Sequence, residues 1–156
     1  DHPVVVGHSM GAQVVAELAA GFPDQVDHIA LIAPVIAPTA RTLAKVGPLL
    51  LANGLKEPGL VTFLAVYDYF FRAGIPYMIQ QTPHLLATDL DDIAARVAEK
   101  TLVICGLDDP IVPLEWGKEL ADAFRHGWYA SVPGPHATMF AAPRTIAALI
   151  DEHAHR

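Results

Sequence analysis

Three kinds of side chain in this sequence could cooperate on a carbonyl carbon: the hydroxyl of Ser9, the imidazole of His136 and a carboxylate from Asp108 or Asp109. Serine is a poor nucleophile at neutral pH and needs an imidazole to take its proton. The imidazole in turn needs a carboxylate that fixes its tautomer and stabilises the imidazolium. Ser9 is the centre of Gly7-His8-Ser9-Met10-Gly11, which follows the β-branched run Val4-Val5-Val6 and precedes the helix-like run from Ala12 to Ala20. Strand, sharp turn and helix together give a G-x-S-x-G pattern its chemical meaning. Such a turn strains the serine backbone, lifts its Oγ above the strand end and aims helix N-terminal N–H groups at any oxyanion formed there. A Cβ at either Gly7 or Gly11 is expected to collide with neighbouring backbone.

Of the eight histidines, only His136 follows a strand-like run in a Gly/Pro loop, Pro133-Gly134-Pro135-His136. His8 is expected to pack against the helix after the turn. His2, His28, His84 and His126 read as surface or packing residues. His153 and His155 have a spacing that could catch a stray metal, but no cysteine or carboxylate completes a site, so no metal is expected. Asp108 and Asp109 share the loop Gly106-Leu107-Asp108-Asp109-Pro110 after another strand-like run. The bland alternative for either is a loop or cap carboxylate for the helix that follows.

These groups need elements to hold them. Short apolar runs predict strands over 3–6, 26–33, 101–105 and 128–132. Helices are expected over 10–20, 89–98, 114–125 and 143–155, the first stopped by Gly21-Phe22-Pro23. Asp91 and Asp92 read as first-turn charges that suit the helix dipole. Strands alternating with helices imply an α/β fold with a mostly parallel sheet of about four strands flanked by helices. In such a sheet the carboxyl-terminal strand ends lie along one edge, where a hydroxyl, a carboxylate and an imidazole can meet. Residues 34–88 break the alternation with six prolines and short apolar pieces over 41–52, 58–73 and 75–82. The aromatic stretch from Leu60 to Phe71 either lines an apolar pocket or is ordinary core packing. The chain therefore divides into a core of 1–33 and 89–156 and a helical cap of 34–88.

Composition narrows the function further. With 156 residues and 53% hydrophobic content, the chain can build one sizeable core. A net charge of −7 without any basic stripe argues against nucleic acid as a partner. No apolar run reaches membrane-spanning length. The single cysteine, Cys105, rules out an internal disulfide and fits a reducing compartment, so a cytoplasmic location is expected.

The residues Gly7-His8-Ser9-Met10-Gly11, Gly106 through Pro113 and Gly134-Pro135-His136 together resemble the α/β-hydrolase family. The resemblance covers nearly the whole chain and looks like the carboxyl-terminal part of that fold with its cap. It implies the chain order Ser9, Asp109, His136 for a catalytic triad. Asp109 takes the family's acid slot, directly before the Ile111-Val112-Pro113 stretch, ahead of Asp108. The resemblance also implies Met10 N–H as one oxyanion donor, no cofactor, and a small or medium apolar acyl compound as substrate. Serine in the elbow disfavours the family's epoxide hydrolases and haloalkane dehalogenases. Carbon–carbon hydrolases, acyltransferases and perhydrolases share the triad. The family's second oxyanion donor comes from an earlier loop with no counterpart among these residues. Asp1-His2-Pro3 leads straight into a strand, so an upstream portion is expected. The 156 residues by themselves are expected to turn over little. The competing reading is a non-catalytic binding module or an inactive truncated hydrolase.

Overall fold

The computed structural model describes residues 3–156; the expectations for His2 and for the Asp1-His2 lead-in lie outside the described residues. Four strands, β1 (Val4–His8), β2 (His28–Ile32), β3 (Lys100–Gly106) and β4 (Gly127–Val132), pair in parallel in the order β1-β2-β3-β4. Parallel neighbours require crossovers, and these are α1 (Met10–Gly21), a helical stretch ending in α5 (Leu90–Ala94), and α6 (Leu114–Ala123). Right-handed crossovers that all step in one direction place their helices on one face. Accordingly, α1 lies on β1 and β2, α6 lies on β3 and β4, and α5 packs between them.

The core sits on the two central strands. Ile29 to Ile32 and Thr101 to Gly106 are buried without interruption, as strands covered on both faces should be. Register levels the strand ends: His8 pairs with Ile32, Ile32 with Ile104, and Gly106 with Val132. The loops after β1, β3 and β4 therefore leave from one edge. Among the described residues β1 pairs only with β2, and Val6 on it is 45% exposed.

Two short helices close the chain, α7 (Thr138–Ala141) and α8 (Pro143–Ala154). His153, expected as a terminal residue, is instead fully buried on α8. Its Nε2 lies 3.1 Å from the Ile29 carbonyl and 3.2 Å from that of Lys100, so its N–H pins the last helix to β2 and β3. His28 and Trp128 meet its ring edge-on.

Between β2 and β3 run α2 (Leu43–Lys56), α3 (Gly59–Tyr67), a π-helical turn over Asp68–Ala73, α4 (Ile75–Ala87) and then α5. Several bounds differ from expectation. α2 starts and ends later than the expected 41–52 piece, with Pro48 inside it, and Pro83 lies inside α4 rather than ending it. The 58–73 piece splits where the π turn begins and stops at Gly74, whose φ of 82° is open to glycine. The expected 89–98 helix shortens to five residues, with Asp89 capping it through the Asp91 N–H. Arg41 grips Asp89 with two hydrogen bonds of 2.7 and 2.8 Å, tying the beginning of this segment to its end. Gln13, buried on α1, donates from Nε2 to the carbonyls of Val35 (2.8 Å) and Leu85 (3.1 Å).

The aromatic stretch is not core. Phe63, Tyr67 and Phe71 stack in succession at 6.3 and 5.5 Å, and Phe71 remains 76% exposed. Among the described residues no helix is long and apolar enough to cross a membrane.

Candidate functional site

β1 runs into α1 through Ser9 with no intervening loop. Ser9 has φ 54° and ψ −122°, a conformation that non-glycine residues adopt only when their surroundings impose it. Its N–H is held by the Ile32 carbonyl at 2.9 Å, which anchors the turn to the end of β2. The two glycines of the turn are not equivalent. A Cβ on Gly7 would lie 2.4 Å from the Gly11 carbonyl oxygen and 2.8 Å from Ala12 Cα. A Cβ on Gly11 would meet nothing within 4 Å, so the collision expected there does not occur. The close approach belongs to Gly7 alone, because the backbone of α1 passes directly over it.

Asp109 and His136 reach the same point from β3 and β4. Asp109 Oδ1 accepts the N–H groups of Ile111 (2.7 Å) and Val112 (3.2 Å). That leaves Oδ2 to His136 Nδ1 at 2.7 Å, with the carboxylate side chain fully buried. The helix-cap alternative does not apply, since Pro113 occupies the N-cap of α6. Asp108, its neighbour, is exposed. His136 is buried, and its Nε2 lies 2.8 Å from Ser9 Oγ. A carboxylate can only accept, so Nδ1 carries the proton and Nε2 is free to accept the Ser9 hydroxyl proton. Gly106 makes this convergence possible: a Cβ there would lie 2.5 Å from the carbonyl oxygens of both Gly134 and Pro135. The histidine loop can therefore press against the end of β3.

The structure thus joins Ser9, His136 and Asp109 in one hydrogen-bonded chain. Met10 opens α1, directly after Ser9, and its N–H has no preceding helical carbonyl to bond. A polar hollow lined by Glu17, His84, Asp89, Asp92 and Arg96 lies elsewhere, near α4 and α5.

Sequence reasoning missed several neighbours. His8 does more than pack against a helix: its Nε2 donates to the His136 carbonyl at 3.1 Å, and the two rings lie 5.0 Å apart. Burial first, and the His136 charge second, push its pKa down to about 4, so it stays neutral. Asn53 and Glu57 on or beside the end of α2 accept the N–H groups of His136 (3.2 Å) and Ala137 (2.7 Å). Lys56 Nζ donates to the Asp108 carbonyl at 2.9 Å. An i, i+4 polar pair at 53 and 57, at the end of a largely apolar helix, was the available signal. Cys105, on β3, is buried, which pushes its thiol up to about 12.

A family profile described as "Alpha/beta hydrolase family" matches residues 1–149. Among solved structures, a hydrolase from Pseudomonas aeruginosa is 17% identical with a TM-score of 0.77, over 99% of this chain and 65% of that one. The 2-hydroxy-6-oxo-6-phenylhexa-2,4-dienoate hydrolase of a Rhodococcus species is 21% identical with a TM-score of 0.69, over 99% and 64% respectively. An enol-lactonase from Burkholderia xenovorans is 17% identical with a TM-score of 0.69, over 99% and 66%. At these identities the likeness is one of fold, and the chain spans just under two thirds of the length of these structures. No curated protein matches the sequence.

Proposed function

The chain belongs to the alpha/beta hydrolase family, and from that premise we propose that it carries the machinery of a serine hydrolase acting through an acyl-enzyme on an ester or related acyl bond. The observation that carries this reading is the chain of two short hydrogen bonds, 2.7 Å from Asp109 to His136 and 2.8 Å from His136 to Ser9. Ser9 Oγ attacks the acyl carbon as His136 Nε2 takes its proton. The negative charge on the carbonyl oxygen is met by Met10 N–H and the positive end of α1. His136 then returns the proton to the leaving group. Water, activated by the same nitrogen, cleaves the acyl-enzyme. Asp109 stays ionised throughout, holding the Nδ1 proton and stabilising the imidazolium.

Residues 34–88 act in this reading as a cap over a core of 1–33 and 89–156. The exposed aromatic surface of α3 favours a small or medium apolar acyl group. The enol-lactonase and the dienoate hydrolase similar to this chain fit the same broad class, one being named for a lactone and the other for hydrolysis of a dienoate.

A fluorophosphonate probe tests the proposal. A covalent adduct at Ser9, read by intact mass and peptide mapping, is expected in the protein and absent from Ser9→Ala. No adduct at Ser9 in the full-length protein would favour a non-catalytic binding module on the same fold.

A further inference from the structure

Two consecutive backbone donors of the histidine loop turn away from the sheet. His136 N–H goes to Asn53 Oδ1 and Ala137 N–H to Glu57 Oε1, both at the end of α2. Asn53 Nδ2 also donates to the same Glu57 oxygen at 3.2 Å. The three contacts form one closed chain, which sets the Asn53 amide with its oxygen toward His136 and its nitrogen toward Glu57. The other Glu57 oxygen is buried and has no hydrogen-bond partner among the described residues. Burying half a carboxylate unpaired is unfavourable, so packing alone does not account for glutamate here.

The loop being held needs this support. It runs through Pro133, Gly134 and Pro135, and Gly134 has a φ of 120°. Its outgoing residues therefore have few sheet bonds to fix them. His136 must nevertheless satisfy Asp109 and Ser9 at once, at 2.7 and 2.8 Å. A backbone rotation at residue 136 would swing both ring nitrogens off their partners.

We propose that Asn53 and Glu57 are positioning residues that lock the His136 loop, so that α2 forms part of the catalytic apparatus. The catalytic consequence rests on the serine hydrolase reading; the loop-holding role does not. The inserted segment thereby sets the geometry of the imidazole as well as bounding the substrate space. Any movement of α2 changes the alignment of His136.

The test combines amide hydrogen exchange at His136 and Ala137 with the rate of fluorophosphonate labelling at Ser9, in Asn53→Ala, Glu57→Ala and Glu57→Gln. Glutamine keeps an acceptor oxygen for Ala137 and is the conservative rescue. Both alanine variants are expected to lose protection at these two amides while the β3 amides stay protected. Their saturating labelling rate is expected to fall by about 10- to 100-fold with little change in probe affinity. Glu57→Gln should retain most of both. Unchanged protection and rate in folded alanine variants would overturn the proposal. So would a loss that merely tracks the unfolded fraction and is equal in Glu57→Gln. A wild-type protein that the probe does not label removes the hydrolase reading, and the exchange data then decide the loop-holding role by themselves.

Discussion

The two glycines of the elbow offer a sharp test, because a sequence pattern treats them alike and the structure does not. In Gly7→Ala the new Cβ would sit 2.4 Å from Gly11 O, 2.7 Å from Gly11 C and 2.8 Å from Ala12 Cα. All three are backbone atoms, so no side-chain rotation relieves the overlap. Restoring ordinary contact requires the start of α1 to recede by about 1 Å. Ser9 and Met10 lie on that start and move with it. The 2.8 Å separation between Ser9 Oγ and His136 Nε2 would then open to about 3.8 Å, beyond hydrogen-bonding range. A misplacement of that size costs about 100-fold in rate, and overpacking costs about 1–3 kcal/mol of stability. Gly11→Ala places its Cβ in open space on a helix, so it should leave labelling intact and stabilise the protein by up to about 1 kcal/mol. Urea unfolding and the labelling rate at Ser9, measured on both variants, decide the matter. Equal damage from the two substitutions, or normal labelling of Gly7→Ala, would refute the reasoning.

Other outcomes follow from the same geometry. In Asp109→Asn the amide oxygen stays on the Ile111 and Val112 N–H groups, so the NH2 faces His136 Nδ1. The ring must then move its proton to Nε2, where it can no longer accept from Ser9; labelling should fall about 10⁴-fold, while Asp108→Asn is near neutral. His8 has a folded pKa of about 4 against 6.5 unfolded, so between those values the unfolded chain binds a proton that the folded one refuses. Its contribution is complete above pH 6.5 and is lost as pH falls toward 4, by roughly 3 kcal/mol. Urea midpoints of His8→Gln should therefore fall less steeply across that window, although His28 and His153, both lowered mainly by burial, keep some slope. Cys105 should resist alkylation at neutral pH in the folded protein and react on unfolding; rapid modification of the native thiol would contradict its burial.

The sheet was legible because its strands are short, largely apolar runs, and because the helices between them force parallel pairing. The positions of Ser9 and His136 were legible through the turn residues around them; choosing Asp109 over Asp108 needed the family resemblance. In the structure Asp109 takes two backbone N–H groups and still faces the imidazole, whereas Asp108 beside it is exposed. What stayed hidden depended on distant partners. Nothing local to His8 shows that its ring will bond the backbone of residue 136. His153 does fall on the apolar stripe of its helix with Ile146, Leu149 and Ile150, a signal outweighed by its place near the chain end. Pro48 and Pro83 read as breakers, yet the tertiary setting carries both inside helices. The equivalence assumed for Gly7 and Gly11 failed because a motif records residue types and not the direction in which each Cβ would point.

Gln13 reaches both flanks of the excursion between β2 and β3 with a single amide nitrogen. A polypeptide that departs and returns at one spot can be lengthened, shortened or exchanged without disturbing the register of the strands beneath it. If the segment is the cap proposed above, chimaeras joined at Val35 and Leu85 would inherit an intact scaffold from one parent and selectivity from the other. Such grafts would have to retain an equivalent of Asn53 and Glu57 to keep the imidazole aligned.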